Sequence, residues 1–209
     1  MTRVAAASAS TLVTLLALGA GPAPCQETPP PDQVWIKGIS YAGHCSAGSV
    51  TVSLAPDAGS FRLGMGGIRA FMGPGTSLMH SRKNCQINVA LQKPEGFTVA
   101  IDAIDYAGEA ELPAHVRAFH RVMHYFAGGP PIATPYTTIL DPFFGPWEHH
   151  RETDPAELAY FTCLSSYASF DFTVVVRLQP PASGERPESF IELTSGPNVR
   201  LQWKRCAGS

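Results

Sequence analysis

Apolar and polar residues alternate with a period of two along most of this chain. Cys85, Ile87, Val89 and Leu91 fall on one side of an extended segment, and Gln86, Asn88, Ala90 and Gln92 on the other. Successive side chains of a strand point to opposite faces, so the spacing predicts a half-buried strand with the cysteine facing the core. Pro94-Glu95-Gly96 then turns the chain. Phe97, Val99, Ile101 and Ala103 form the next apolar face, and the two segments are expected to pair as an antiparallel hairpin. Phe170, Phe172, Val174, Val176 and Leu178 repeat the pattern until Pro180-Pro181-Ala182-Ser183-Gly184 stops it.

Shorter segments follow the same rule. Val34 to Ile39 opens the series. Ser49 to Leu54 alternates without error and ends at a turn composition, Ala55-Pro56-Asp57-Ala58-Gly59, after which Phe61 to Leu63 is expected to fold back as a hairpin. Gly64-Met65-Gly66-Gly67 predicts a bulge or bend, because glycine weakens a regular strand interior. Gly73-Pro74-Gly75 marks a loop. Ser189 to Leu193 and Val199, Leu201 and Trp203 supply the last strands. His115 to Phe126 reads two ways: Val116, Phe119 and Met123 have partial helical spacing, whereas Val122, His124 and Phe126 share one side of a strand. Its all-β surroundings favour the strand. Short alternating strands between Gly/Pro turns imply an all-β fold, an antiparallel, jelly-roll-like β-sandwich, because a second sheet must cover the apolar face of the first.

The first residues have a different character. Arg3, an apolar run from Thr11 to Leu18, and small residues at Gly19, Ala20, Gly21 and Ala23 match a cleaved signal peptide over residues 1–25. The run is shorter than the roughly 20 residues a membrane span needs. Residues 26–33 form a Pro-rich spacer without a packing face, and residues 34–209 a single domain. About 175 residues are enough to bury a core. Export to an oxidising compartment makes disulfides the default state of cysteine. Cys25 lies at the signal boundary behind Pro24, where the lipoprotein pattern requires a small residue. Cys45, Cys85, Cys163 and Cys206 remain, an even set with three possible pairings.

Charge narrows the partners. Charged residues make up 15% of the chain and the net charge is −2. A nucleic-acid binder carries a basic stripe, and none is visible. No polybasic segment suits an anionic membrane. No glycine-rich phosphate motif follows a strand, so no cofactor is expected.

The segments "GISYAGHCSAGSVTVSLAPDAGSF", "GPGTSLMHSRKNCQINVALQKPEGF", "DYAG", "YFAGG" and "LQWKRC" occur in one order. Their arrangement resembles a family of small secreted proteins, mostly fungal, known as domain of unknown function 4360. The likeness runs from about Ile39 to Cys206 and is most specific at Ser81-Arg82-Lys83-Asn84-Cys85. It implies two bridges, Cys45 with Cys85 and Cys163 with Cys206, read as staples across the stacked sheets. Each closes a loop of about 40 residues, worth roughly 4 kcal/mol in the chain-entropy model. The chain departs from the family pattern at Thr162-Cys163-Leu164, where relatives show a Ser-Pro-Cys-Gly-like motif, and in its histidine-rich region from His115 to His150. The resemblance implies fold and secretion and leaves the chemistry open.

Four groups of residues are chemical candidates. Arg82-Lys83-Asn84-Cys85 can be read as an activated thiolate, but secretion and an even cysteine set favour a bridge. There Arg82 is expected to hold its loop by pairing with Asp105. His120 and His124, four apart, are weak candidates for a metal site, since Arg117 and Arg121 beside them repel a cation. Glu109 and Glu111 share one face of a strand and are candidate carboxylates for a hydrolase, although no nucleophile motif accompanies them. Phe143, Phe144 and Trp147, in "DPFFGPWEHH", place aromatics on what reads as a loop and form the candidate binding surface. The resulting expectation is a secreted, non-enzymatic binder of a cell-wall polysaccharide or an extracellular protein. The alternatives are a small carboxylate-dependent hydrolase and a metal-binding protein using the His115–His150 region.

Overall fold

The computed structural model describes residues 28–126 and 136–207. The leader expected at residues 1–25, Cys25 with it, lies outside the described residues. Within the spacer, Pro31–Gln33 makes one 3₁₀ turn with no buried residue, but Pro29 is buried, so the spacer does pack. The alternating segments become strands β1 (Trp35–Gly43), β2 (Thr51–Leu54), β3 (Ser60–Gly64), β4 (Ile68–Met72), β5 (Arg82–Gln92) and β6 (Phe97–Leu112). They continue as β7 (Arg117–Phe126), β8 (Thr137–Ile139), β9 (Phe143–Glu152), β10 (Tyr167–Gln179) and β11 (Ser189–Arg205). The ambiguous histidine-rich stretch is therefore the strand β7.

Two antiparallel sheets form. The first has the order β1-β5-β10-β7-β8; the second has the order β2-β3-β11-β6-β9, with β4 also paired to β11. The long β11 carries β4 beside its first half, where Leu193 faces Ile68, and β3 beside its second half, where Val199 faces Phe61. Met65-Gly66-Gly67 makes the expected bend between those two partners. The expected β2–β3 hairpin is present, with Val52 opposite Leu63 and Leu54 opposite Phe61.

The hairpin expected between β5 and β6 does not form. β5 pairs with β1 and β10 in the first sheet, and β6 pairs with β11 and β9 in the second. Pro94-Glu95-Gly96 carries the chain from one sheet to the other. Alternation specifies which side of a strand is apolar and is silent about which strand lies beside it.

The inward faces interdigitate. Phe61 of one sheet meets Phe170 and Phe172 of the other at ring-centroid distances of 5.8 and 5.9 Å. Ile87, Val89, Leu91, Leu178, Ile191 and Leu193 are fully buried around them. Each such side chain contributes roughly 1.5–3 kcal/mol through its removal from water. Cys45–Cys85 joins the loop after β1 to the neighbouring strand β5, and Cys163–Cys206 joins the β9–β10 connection to the end of β11. The first bridge thus lies within one sheet and does not cross the sandwich: Gly43, two residues before Cys45, is already in register with Cys85. Among the described residues no helix is long and apolar enough to cross a membrane.

Candidate functional site

The stretch "FFGPWEHHRE" is a strand, contrary to the loop expected of it, and β9 forms one edge of the second sheet. Pro146 is tolerated because an edge strand has one side free of ladder hydrogen bonds. Strand parity then divides the segment. Phe143, Trp147, His149 and Arg151 turn inward; Phe144, Pro146, Glu148, His150 and Glu152 turn outward. Trp147 is only 6% exposed and is closed to a ligand, and Phe143 is half-buried against the core. Phe144, at 67%, is open to solvent.

The inward set forms a polar and aromatic layer between the sheets. Trp147 sits opposite Gly108, where a Cβ would overlap both the indole ring and the Glu192 carbonyl. Glycine at 108 is thus what admits the tryptophan. His120 of β7 stacks on Trp147 with centroids 4.3 Å apart, and its Nδ1 lies 3.2 Å from the Tyr106 hydroxyl. Tyr106 faces His149 across the β6–β9 ladder. Burial lowers the pKa of His120 to about 4, helped by the His149 ring. Burial also lowers His124 to about 4, helped by the positive Arg151. Neither ring nitrogen of His124 has a hydrogen-bond partner among the described residues, so no acceptor stabilises its charged form. Burial raises the Tyr106 phenol. His120 and His124 thus belong to the interior. Among the described residues, no group of three or more His, Cys, Asp or Glu side chains is arranged to hold a metal ion.

The outer face of the same sheet is organised in rows, because antiparallel ladders align side chains across strands. One row runs Phe144, Glu111, Phe190, Phe71 across β9, β6, β11 and β4. The next runs Pro146, Glu109, Glu192, Arg69. Phe71 is 37% exposed. Arg69 lies 3.8 Å above the Phe190 ring and is 3.4 Å from Glu192. Beside this row is a groove of about 430 Å³ lined by Arg69, Phe71, Thr76, Glu111, Glu188 and Phe190. Its wall is the Gly73–Thr76 turn, closed by Gly73 N–H donating to Thr76 Oγ1 at 2.9 Å and pinned when Arg186 donates to the Thr76 carbonyl at 3.0 Å.

Further along the same face the rows become ionic. Arg200 donates to Asp102 at 2.5 Å and to Glu152 at 3.0 Å. His150 bonds Asp105 and lies 3.5 Å from Glu152. The hydrogen bond to Asp105 raises the pKa of His150, and Arg200 lowers that of Glu152. A shallow cleft of about 520 Å³ opens here between Arg62, Asp105, Glu148, His150 and Asn198. The pairing expected between Arg82 and Asp105 is not made. Arg82 stands on β5 in the other sheet, and Asp105 is engaged by His150. Glu109 and Glu111 do share the outer face of β6, both exposed. Phe71, Phe190 and Arg69 are missing from the sequence-derived candidates. The signal for Arg69 and Phe71 was present in Ile68-Arg69-Ala70-Phe71-Met72, where buried 68, 70 and 72 leave 69 and 71 outside.

The family described as Domain of unknown function (DUF4360) matches residues 32–206. The chain belongs to this family. The bridges expected from the resemblance are the ones observed. A relative from Arthroderma benhamiae, described as an uncharacterized secreted protein, is 28% identical over 182 residues, which is 85% of this chain and 74% of the relative. Two solved structures match this chain weakly. TmCBM61, in complex with beta-1,4-galactotriose, has a TM-score of 0.29 and 8% identity over 81% of this chain and 90% of its own. TmCBM27, a carbohydrate-binding module described by its mannan recognition, has a TM-score of 0.33 and 12% identity over 84% and 90%. Likeness at this level adds nothing to the sandwich already visible in the strand order of this family member.

Proposed function

We propose that this protein is a secreted, non-catalytic binder of an extracellular polysaccharide, and that it binds through the outer face of the β4-β11-β6-β9 sheet. The row Phe144–Glu111–Phe190–Phe71 carries this reading. Neighbouring strands lie about 4.8 Å apart, so the row spans roughly 14 Å along the sheet normal to the strands. It presents two exposed rings at its ends and a carboxylate between them. Aromatic faces stack on the apolar faces of sugar rings, and carboxylates accept hydrogen bonds from hydroxyls. The core of the sandwich holds this face rigid, which lowers the ordering cost of binding. The leader pattern, the two bridges and the secreted relative support export.

The test is co-sedimentation of the secreted protein with insoluble chitin in its N-acetylated and deacetylated forms, with glucan and with cellulose, with analysis of soluble products. Retention that Phe144→Ala and Phe71→Ala abolish, without release of sugar, is the expected result. Released oligosaccharide overturns the non-catalytic reading, and no retention on any polymer overturns the binder.

A further inference from the structure

The charge along the groove beside the Phe144–Phe71 row narrows the polymer. Among the described residues, Arg69 is the only cation in its lining, and that cation is already engaged, by Glu192 at 3.4 Å and by the Phe190 face at 3.8 Å. Glu111 and Glu188 line the same groove, both exposed, and neither forms an ion pair among the described residues. Glu109, one row away, lies opposite Glu192 and adds to the negative field. An anionic sugar polymer would meet like charge along this whole edge. A neutral one would leave both carboxylates without a counter-charge. A protonated amine satisfies them. It also suits the aromatic rings, whose faces attract cations, as the guanidinium over Phe190 already illustrates within this chain.

Resting on the polysaccharide reading, we infer that the ligand is a cationic amino-sugar polymer, with free amines seated between Phe144 and Phe190 against Glu111 and beside Glu188. Charge complementarity selects the deacetylated form: N-acetylation removes the positive charge and leaves the ring.

The experiment compares retention on a glucosamine polymer in its deacetylated and N-acetylated forms, at low and high salt. Binding to the deacetylated form alone, weakened by salt, is expected. Replacing Glu111→Gln together with Glu188→Gln should raise its Kd about tenfold, a loss of about 1.4 kcal/mol shared between two exposed ion pairs. The off-groove pair Glu95→Gln with Glu157→Gln, which removes the same charge, should leave Kd unchanged. Thermal melting confirms that both variants fold. Equal binding of the two polymer forms overturns the amine assignment while leaving the polysaccharide reading intact. Equal weakening by the off-groove pair also overturns it, by reducing the attraction to net charge. Failure to bind either form, or any neutral glucan, removes the polysaccharide reading itself.

Discussion

His149 and His150 are neighbours in sequence and opposites in chemistry. His149 points between the sheets against Tyr106 and His120, where burial lowers its pKa, helped by the positive Arg151 and His150. His150 points outward, where Asp105 holds its charged form and raises its pKa. One step along a strand separates an interior ring whose charged form is disfavoured from a surface ring whose charged form is favoured. The same step separates buried Trp147 from exposed Glu148, and half-buried Phe143 from exposed Phe144. The inner face of β9 thus serves stability and its outer face is free to serve recognition.

The contrast predicts unequal responses to mutation and pH. Trp147→Ala should cost about 3–5 kcal/mol by leaving a cavity against His120 and Gly108, read from chemical denaturation. Gly108→Val attacks the same contact from the opposite strand and should destabilise comparably. If either variant melts like the parent, the inner layer is not packed as described.

Acid should act on the interior next. His120 and His124 ionise near pH 4 in the native fold and near 6.5 when unfolded. Between those values the unfolded chain takes up protons that the native one refuses. Stability is therefore complete above about pH 6.5, falls as the pH drops towards 4, and levels off below it. Each imidazole contributes about 3 kcal/mol to that fall. Denaturation midpoints measured across this window should decline, and His124→Phe should flatten the decline. A flat profile in the parent would mean that the rings are hydrated.

A direct comparison of the adjacent pair is smaller but sharper. Proton NMR titration should place His150 above the ordinary histidine value and His149 below it, and Asp105→Asn should bring His150 down while leaving His149 in place. A reversed order would put the wrong face of β9 outside. Smallest of all is the effect of Phe144→Ala on stability, within about 0.5 kcal/mol as for an exposed site. A large loss there would show that the ring is part of the core.

Much of this was legible in the alternation itself. Cys85, Ile87, Val89 and Leu91 announced both the strand β5 and its buried side, and Phe170 to Leu178 did the same for β10. Parity also held the two fates of "WEHHRE", but only once the segment was known to be extended. Its Gly-Pro pair argued for a loop, and pairing with β6 at the sheet edge overrode that local preference. The site was less legible than the strands. Phe144 was visible as an exposed aromatic, whereas Phe71 and Phe190, 73 and 46 positions from it, join its row only through strand order.

By itself, then, the chain determined its all-β class, its extended segments and which residues of each turn away from water, because these depend on neighbours one and two positions apart. The resemblance to the family supplied the cysteine pairing. Only the tertiary structure decided that β5 and β6 part into different sheets, that Trp147 is core, and that three phenylalanines and Glu111 share one outer row. Strand partners are chosen by the combined burial and hydrogen bonding of both sheets, and no local stretch of sequence encodes that sum.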